Sequence, residues 1–201
     1  MREISLSKIY SPPQLHPGEV LRYAGCREAN SDTEALLEEC LQEVMDKLTY
    51  RVCYCQSEVL VDGDKCQLGP MVTSSRNLAE LLRGCNQAVI FAATVGVEID
   101  RLISRYSRVS PAKALMFQAI GAERIESLCD VFCRDVSNQL EENLVLTPRF
   151  SPGYGDLSLD LQREIFSLLQ CHRTIGLTLN DSLLMSPTKS VTAIVGIRSA
   201  N

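Results

Sequence analysis

The sequence predicts an α+β fold in which an antiparallel sheet meets long helices. Three observations carry this. Asp62-Gly63, a strong hairpin turn signal, stands between two β-rich runs. A second pair of β-rich runs closes the chain, around Ser186-Pro187-Thr188-Lys189. Between the pairs, apolar residues recur at helical spacing, most extensively over 111–141. Hairpins before and after long helices indicate α+β rather than a regular βαβ series.

Taken in order, Pro17 suits a first helical turn and predicts a short helix over 17–24. Ser31-Asp32-Thr33-Glu34 reads as a capping box. Leu36, Leu37, Cys40, Leu41, Val44, Met45 and Leu48 then continue an amphipathic helix over 33–49. Val52, Tyr54, Val59, Leu60 and Val61 predict a strand over 51–61, with 65–72 as its return strand. A short helix over 77–84 ends at Gly84. The apolar run AVIFAAT over 88–94 predicts a buried strand. Val95, Ile99, Leu102 and Ile103 share a face of a helix over 95–107. Ser110-Pro111 opens the long helix, whose Glu123 and Glu126 read as a solvated face and whose Ala114, Ala119, Gly121 and Ala122 allow close packing or a ligand. Ser158 or Asp160 caps a helix running to about residue 170. Strands over 176–185 and 190–197 complete the chain.

The 201 residues predict one domain, 1–201, with 1–30 as a small N-terminal subdomain. A hydrophobic content of 45% suffices for a core. The net charge of −5 and the lack of any basic cluster argue against a nucleic-acid surface. The N-terminus has no apolar signal core, and no run is long enough to span a membrane, so the expected location is the cytoplasm. Nine cysteines, an odd number without a secretion signal, fit reduced thiols better than a disulfide framework. Cys53 and Cys55 would share one face of a strand, and Cys129 and Cys133 one face of a helix. With Cys171-His172 these leave a thiol or metal redox role as one reading, although the spacings match no standard ligand set.

The segment TPRFSPGYGDL over 147–157 is the most informative stretch. Pro148 and Pro152 fix φ and push Thr147 and Ser151 toward extended geometry. Gly153 and Gly155 permit positive φ and close approach of a ligand. The result is a stiffened loop that either only reverses the chain or presents Arg149 and Tyr154 at defined places. An arginine held in this way suits bidentate capture of a carboxylate or phosphate.

Arg149-Phe150-Ser151-Pro152-Gly153-Tyr154, followed by Asp181-Ser182, Met185, Pro187, Ser190 and Val191 in LTLNDSLLMSPTKSV, resembles the reactivation domain of cobalamin-dependent methionine synthase. The resemblance is clearest over 144–197 and implies a methionine synthase activation domain-like fold in its free-standing form. The family binds S-adenosylmethionine through an arginine-x-x-x-glycine-tyrosine motif. The resemblance therefore implies a ligand site of Arg149, Ser151, Gly153 and Tyr154. Arg149 would pair with the ligand carboxylate, and backbone around Ser151 and Gly153 would bind its polar atoms. Tyr154 would lie at the mouth against ligand or corrin ring. Glu126, with Asp156 second, would answer the ligand's positive charge. Phe150 departs from the family, which commonly has proline there. The chain lacks substrate barrels, a cobalamin-binding module and a DxHxxG motif, so a complete methionine synthase is not expected. The implied cofactors are S-adenosylmethionine and a cobalamin carried by a partner. That partner would be the cobalamin-binding module of a methionine synthase or another corrinoid protein. The implied role is support of a methyltransferase in methionine biosynthesis, with no catalytic acid, base or nucleophile and no metal ligand of its own. The alternatives are a non-catalytic docking protein for a corrinoid carrier and, on the cysteines alone, a thiol or metal redox protein for corrinoid reduction.

Overall fold

The computed structural model describes residues 4–26 and 30–200. Its elements in chain order are β1 (Leu6–Tyr10), α1 (Pro17–Tyr23), α2 (Ser31–Val44), β2 (Tyr50–Asp62), β3 (Lys65–Leu68), β4 (Met71–Ser74), α3 (Arg76–Leu81), β5 (Cys85–Thr94), α4 (Glu98–Tyr106), α5 (Pro111–Ser137), β6 (Leu144–Leu146), α6 (Leu161–Leu169), α7 (Cys171–Ile175), β7 (Thr178–Leu179), β8 (Met185–Ser186) and β9 (Ser190–Ser199). One antiparallel sheet runs in the order β4-β3-β2-β5-β9-β6, with β1 added to β2. The strands β7 and β8 form a separate ribbon. The fold is α+β, with an antiparallel sheet and long helices.

The apolar runs explain the centre of the sheet. Along β5, Val89, Phe91 and Ala93 point into a core shared with α1, α2, α4 and α5. Ala88, Ile90 and Ala92 point the other way, toward α3, α6 and α7. A strand covered on both faces must be apolar at nearly every position, which is why AVIFAAT shows no alternation. β9 repeats the pattern, with Val195 and Ala193 on one side and Ile194 on the other.

Local signals set most boundaries, and competing interactions move a few. Asn30, rather than Ser31, caps α2: its side chain accepts from Thr33 N at 2.9 Å and the Thr33 hydroxyl reciprocates. The helix ends at Val44 and a 3-10 turn, Met45–Lys47, replaces its expected last turn. The single return strand expected over 65–72 is two strands, because Gly69, at φ 54°, and Pro70 turn the chain into a second hairpin. α4 starts at Glu98 instead of 95, since Val95 still bonds as a strand to Lys189 O and Gly96 at φ 88° breaks the chain direction. The long helix stops at Ser137, short of 141. The expected strand over 176–185 shrinks to the two residues of β7, followed by a loop into β8.

The described part of 1–30 joins the main body. β1 pairs with β2 and α1 lies on α5. Residues 1–3 and 27–29 of that segment lie outside the described residues. The attachment depends on Glu123, which is not on a solvated face: it is 2% exposed and pairs with Arg124, which is 0% exposed. Arg124 donates to Pro13 O and Gln14 O at 2.7 Å each, and His16 N donates to Glu123 Oε1 at 3.1 Å. Two buried opposite charges satisfy each other and fasten an irregular strap across α5. Gly121, also on α5, serves close packing, because the Lys189 stem lies where a Cβ would be, 2.8 Å away.

Candidate functional site

The loop over 147–157 is held at three points, and this fixes Arg149. Thr147 N donates to Gly196 O at 2.9 Å, and Gly196 N returns a bond to the Thr147 hydroxyl at 2.8 Å. Phe150 exchanges two backbone bonds with Ile194, at 2.9 and 2.8 Å. Arg149 therefore lies between two clamps on β9, where Pro148 denies the ladder a donor. At the far end, Asp156 accepts from Ser75 Oγ at 2.5 Å and from the backbone N–H groups of Arg76 and Asn77 at 2.8 and 3.3 Å. The hydrogen bond from Ser75, aided by the two backbone donors, holds its carboxyl below the usual carboxylate range. Asp156 is thus committed to the N-terminus of α3 and does not line the cleft described next. Between the anchors, Gly153 at φ 89° and Gly155 at φ 54° take backbone conformations that disfavour any side chain.

Above this loop opens a cleft of about 390 Å³. Arg149, Ser151 and Tyr154 line it, together with Glu126 from α5. Gly153 lies within the same turn, donating its N–H to Leu157 O at 2.9 Å. The rest of the lining comes from Gln162 on α6, Met185 on β8, and Ser190, Val191 and Thr192 on β9. Tyr154 is 68% exposed and stands at the mouth. Asp181 and Ser182 lie in the β7–β8 loop, outside the lining; Arg163 donates to Asp181 O at 3.0 Å.

Arg149 is not a free fork. Its Nη2 lies 2.8 Å from Glu126 Oε2 and 3.0 Å from Asp130 Oδ1. Asp130, one turn beyond Glu126 on the same helix, carried no signal in the sequence beyond its i, i+4 spacing. The Nη1 end is buried without a hydrogen-bond partner. Beside the guanidinium lie Cys129 and Cys133. Burial pushes both thiols up, Cys133 to about 11, and the neighbouring Arg149 charge only partly opposes this. One guanidinium thus faces two carboxylates, leaving the cluster a net negative charge next to a cleft whose walls mix polar residues with Phe150, Pro152, Met185 and Val191. The arrangement suits a ligand that carries both an acceptor for the arginine and a positive centre for the acids.

Seven of the nine cysteines are buried, several of them in the core beneath α3, α6 and α7. No group of three potential metal-ligating side chains occurs among the described residues. Nor, among them, is any helix long and apolar enough to cross a membrane.

Residues 77–200 match the family model described as vitamin B12 dependent methionine synthase, activation domain. The chain belongs to this family. The matched region contains the loop over 147–157, Glu126, Asp130 and every strand that anchors them. The fold is similar to that in the crystal structure of the MetH reactivation domain bound to AdoHcy. The TM-score is 0.69 at 13% identity, over 97% of this chain and 78% of that one. No curated protein matches the sequence.

Proposed function

We propose that this activation-domain protein binds S-adenosylmethionine in the cleft beside Arg149. We further propose that it supports reductive methylation of cob(II)alamin carried by a corrinoid methyltransferase. The observation that carries this is the cluster of Arg149, Glu126 and Asp130 at the wall of a cleft whose mouth holds Tyr154. Arg149 would meet the amino-acid carboxylate, with a turn of its guanidinium bringing a free N–H to it. Glu126 and Asp130 would favour the cationic sulfonium. The backbone around Ser151 and Gly153 would bind polar atoms where no Cβ intervenes. Tyr154 would offer a flat face to the ligand or to the partner's corrin. That the fold is similar to a domain solved with AdoHcy supports the same ligand class. When bound, S-adenosylmethionine supplies the methyl group; the work of this chain is to bind and orient it. The site is proposed to need no general acid or base from the protein.

Calorimetric titration with S-adenosylmethionine tests the binding. Formation of methylcobalamin, followed by its absorption after mixing with a cob(II)alamin-loaded module and a reductant, tests the role. Absence of binding at millimolar ligand overturns the proposal. A docking role without ligand is favoured by one observation, the prior engagement of Arg149 Nη2 by two acids. Capture of a cobalamin module that does not respond to S-adenosylmethionine would support that second reading.

A further inference from the structure

Among the described residues, four buried side-chain polar atoms lack a hydrogen-bond partner: Tyr50 Oη, Arg149 Nη1, Gln162 Oε1 and Thr192 Oγ1. Three of these belong to residues that line one cleft. Gln162 is 5% exposed and Thr192 2%. An unpaired buried polar atom is costly, and each of these has an apolar substitute of nearly the same shape that would remove the cost. Thr192 sits near the start of β9, just before Ala193, Ile194 and Val195, where valine would fill the same volume. Gln162 shares α6 with buried Leu161, Ile165 and Leu169, where leucine would fit. Polar groups that weaken the free protein and converge on one hollow are the mark of a binding surface, where stability is given up for function.

We propose that Gln162 and Thr192 form the subsite for the nucleoside part of the ligand, hydrogen-bonding its sugar hydroxyls or heterocycle. The charged cluster of Arg149, Glu126 and Asp130 answers the charged amino-acid end. The two neutral groups lie on other walls of the cleft, on α6 and β9, and can donate and accept without adding charge. This inference rests on the S-adenosylmethionine reading of the cleft.

The test uses the full chain with Gln162→Leu and Thr192→Val. Melting temperature is followed by circular dichroism. Affinity is measured for S-adenosylmethionine and, by competition, for S-methyl-L-methionine, which keeps the sulfonium amino acid and lacks the nucleoside. Each variant should melt about 2–4 °C higher, since a buried unsatisfied group has been removed. Each should bind S-adenosylmethionine about 5- to 10-fold more weakly. S-methyl-L-methionine should bind all three proteins alike. Unchanged S-adenosylmethionine affinity in both variants overturns the inference alone, provided the wild type binds. So does an equal loss on both ligands, which would assign the pair to the amino-acid end, or a lower melting temperature, which would make the two residues structural. A wild type that does not bind S-adenosylmethionine overturns the reading beneath it as well.

Discussion

Replacing Arg149 by methionine separates a binding role from a structural one. The side chain keeps an unbranched apolar stem and loses the charged guanidinium. Its two ion pairs, at 2.8 and 3.0 Å, run to carboxylates that are 45% and 63% exposed, so solvent screens them. Exposed pairs of this kind contribute about 0.2–1 kcal/mol each. Against that loss stands the relief of the buried, unpartnered Nη1, worth on the order of 1 kcal/mol or more. The two nearly cancel, so the net stability change should stay within about 1 kcal/mol, or about 4 °C in melting temperature. Binding should suffer more. A hydrogen bond to a charged group contributes about 1.5–3 kcal/mol, which corresponds to a loss of about 10- to 150-fold in affinity for S-adenosylmethionine. Thermal denaturation and calorimetric titration on the same preparation read both quantities. A variant that binds as tightly as wild type refutes the role given to the guanidinium. A fall of more than about 10 °C would show that the ion cluster holds the fold together, contrary to the screening argument.

Glu123→Gln should destabilise the protein by about 3–5 kcal/mol in urea unfolding, because Arg124 would keep its charge in the interior without a counter-ion. Replacing both members together, Glu123→Leu with Arg124→Met, should recover much of that loss. Gly155→Ala should cost about 1–2 kcal/mol for its left-handed backbone. The new Cβ would also meet the amide end of the Asn77 side chain, which would have to move aside. Cys133, with its thiol pushed to about 11 by burial, should alkylate slowly at neutral pH. Its rate, followed by peptide mapping, should climb about tenfold per pH unit from 8 to 10 without levelling. Because Arg149 opposes that upward push, Arg149→Met should slow the reaction further at each pH; a plateau near pH 9 would contradict the burial argument.

What the sequence made legible was local. Pro17 opening α1, Pro111 opening α5, the turn after Asp62 and the stiff loop over 147–157 all follow from residues that restrict their own backbone. Features made by distant parts were hidden. β1 shows no apolar alternation, because four of its five residues are exposed and it is held by backbone pairing and by Lys8 and Tyr10 meeting Asp135. β6 is too short to give a pattern. Glu123 and Arg124 look like surface residues of a helix until the strap from Pro13 to His16 closes over them. At the site, the motif pointed to Arg149, Ser151 and Tyr154 because they are neighbours in sequence. Asp130, Gln162 and Thr192 join them only through packing. Asp156 sits inside the motif yet serves a helix 80 residues away.

The strap over α5 bears on how this family's segment can be handled in isolation. The stretch that matches the family model begins at residue 77, so it contains the ion pair of Glu123 and Arg124 but neither the Pro13 and Gln14 carbonyls nor the His16 amide that satisfy it. Excised on its own, it would also lose β2, the neighbour of β5. A fragment trimmed to residues 77–200 should therefore fail to fold on its own, because the leading segment satisfies the ion pair on α5 and, through Ser75 and Arg76, also holds the far end of the cleft loop.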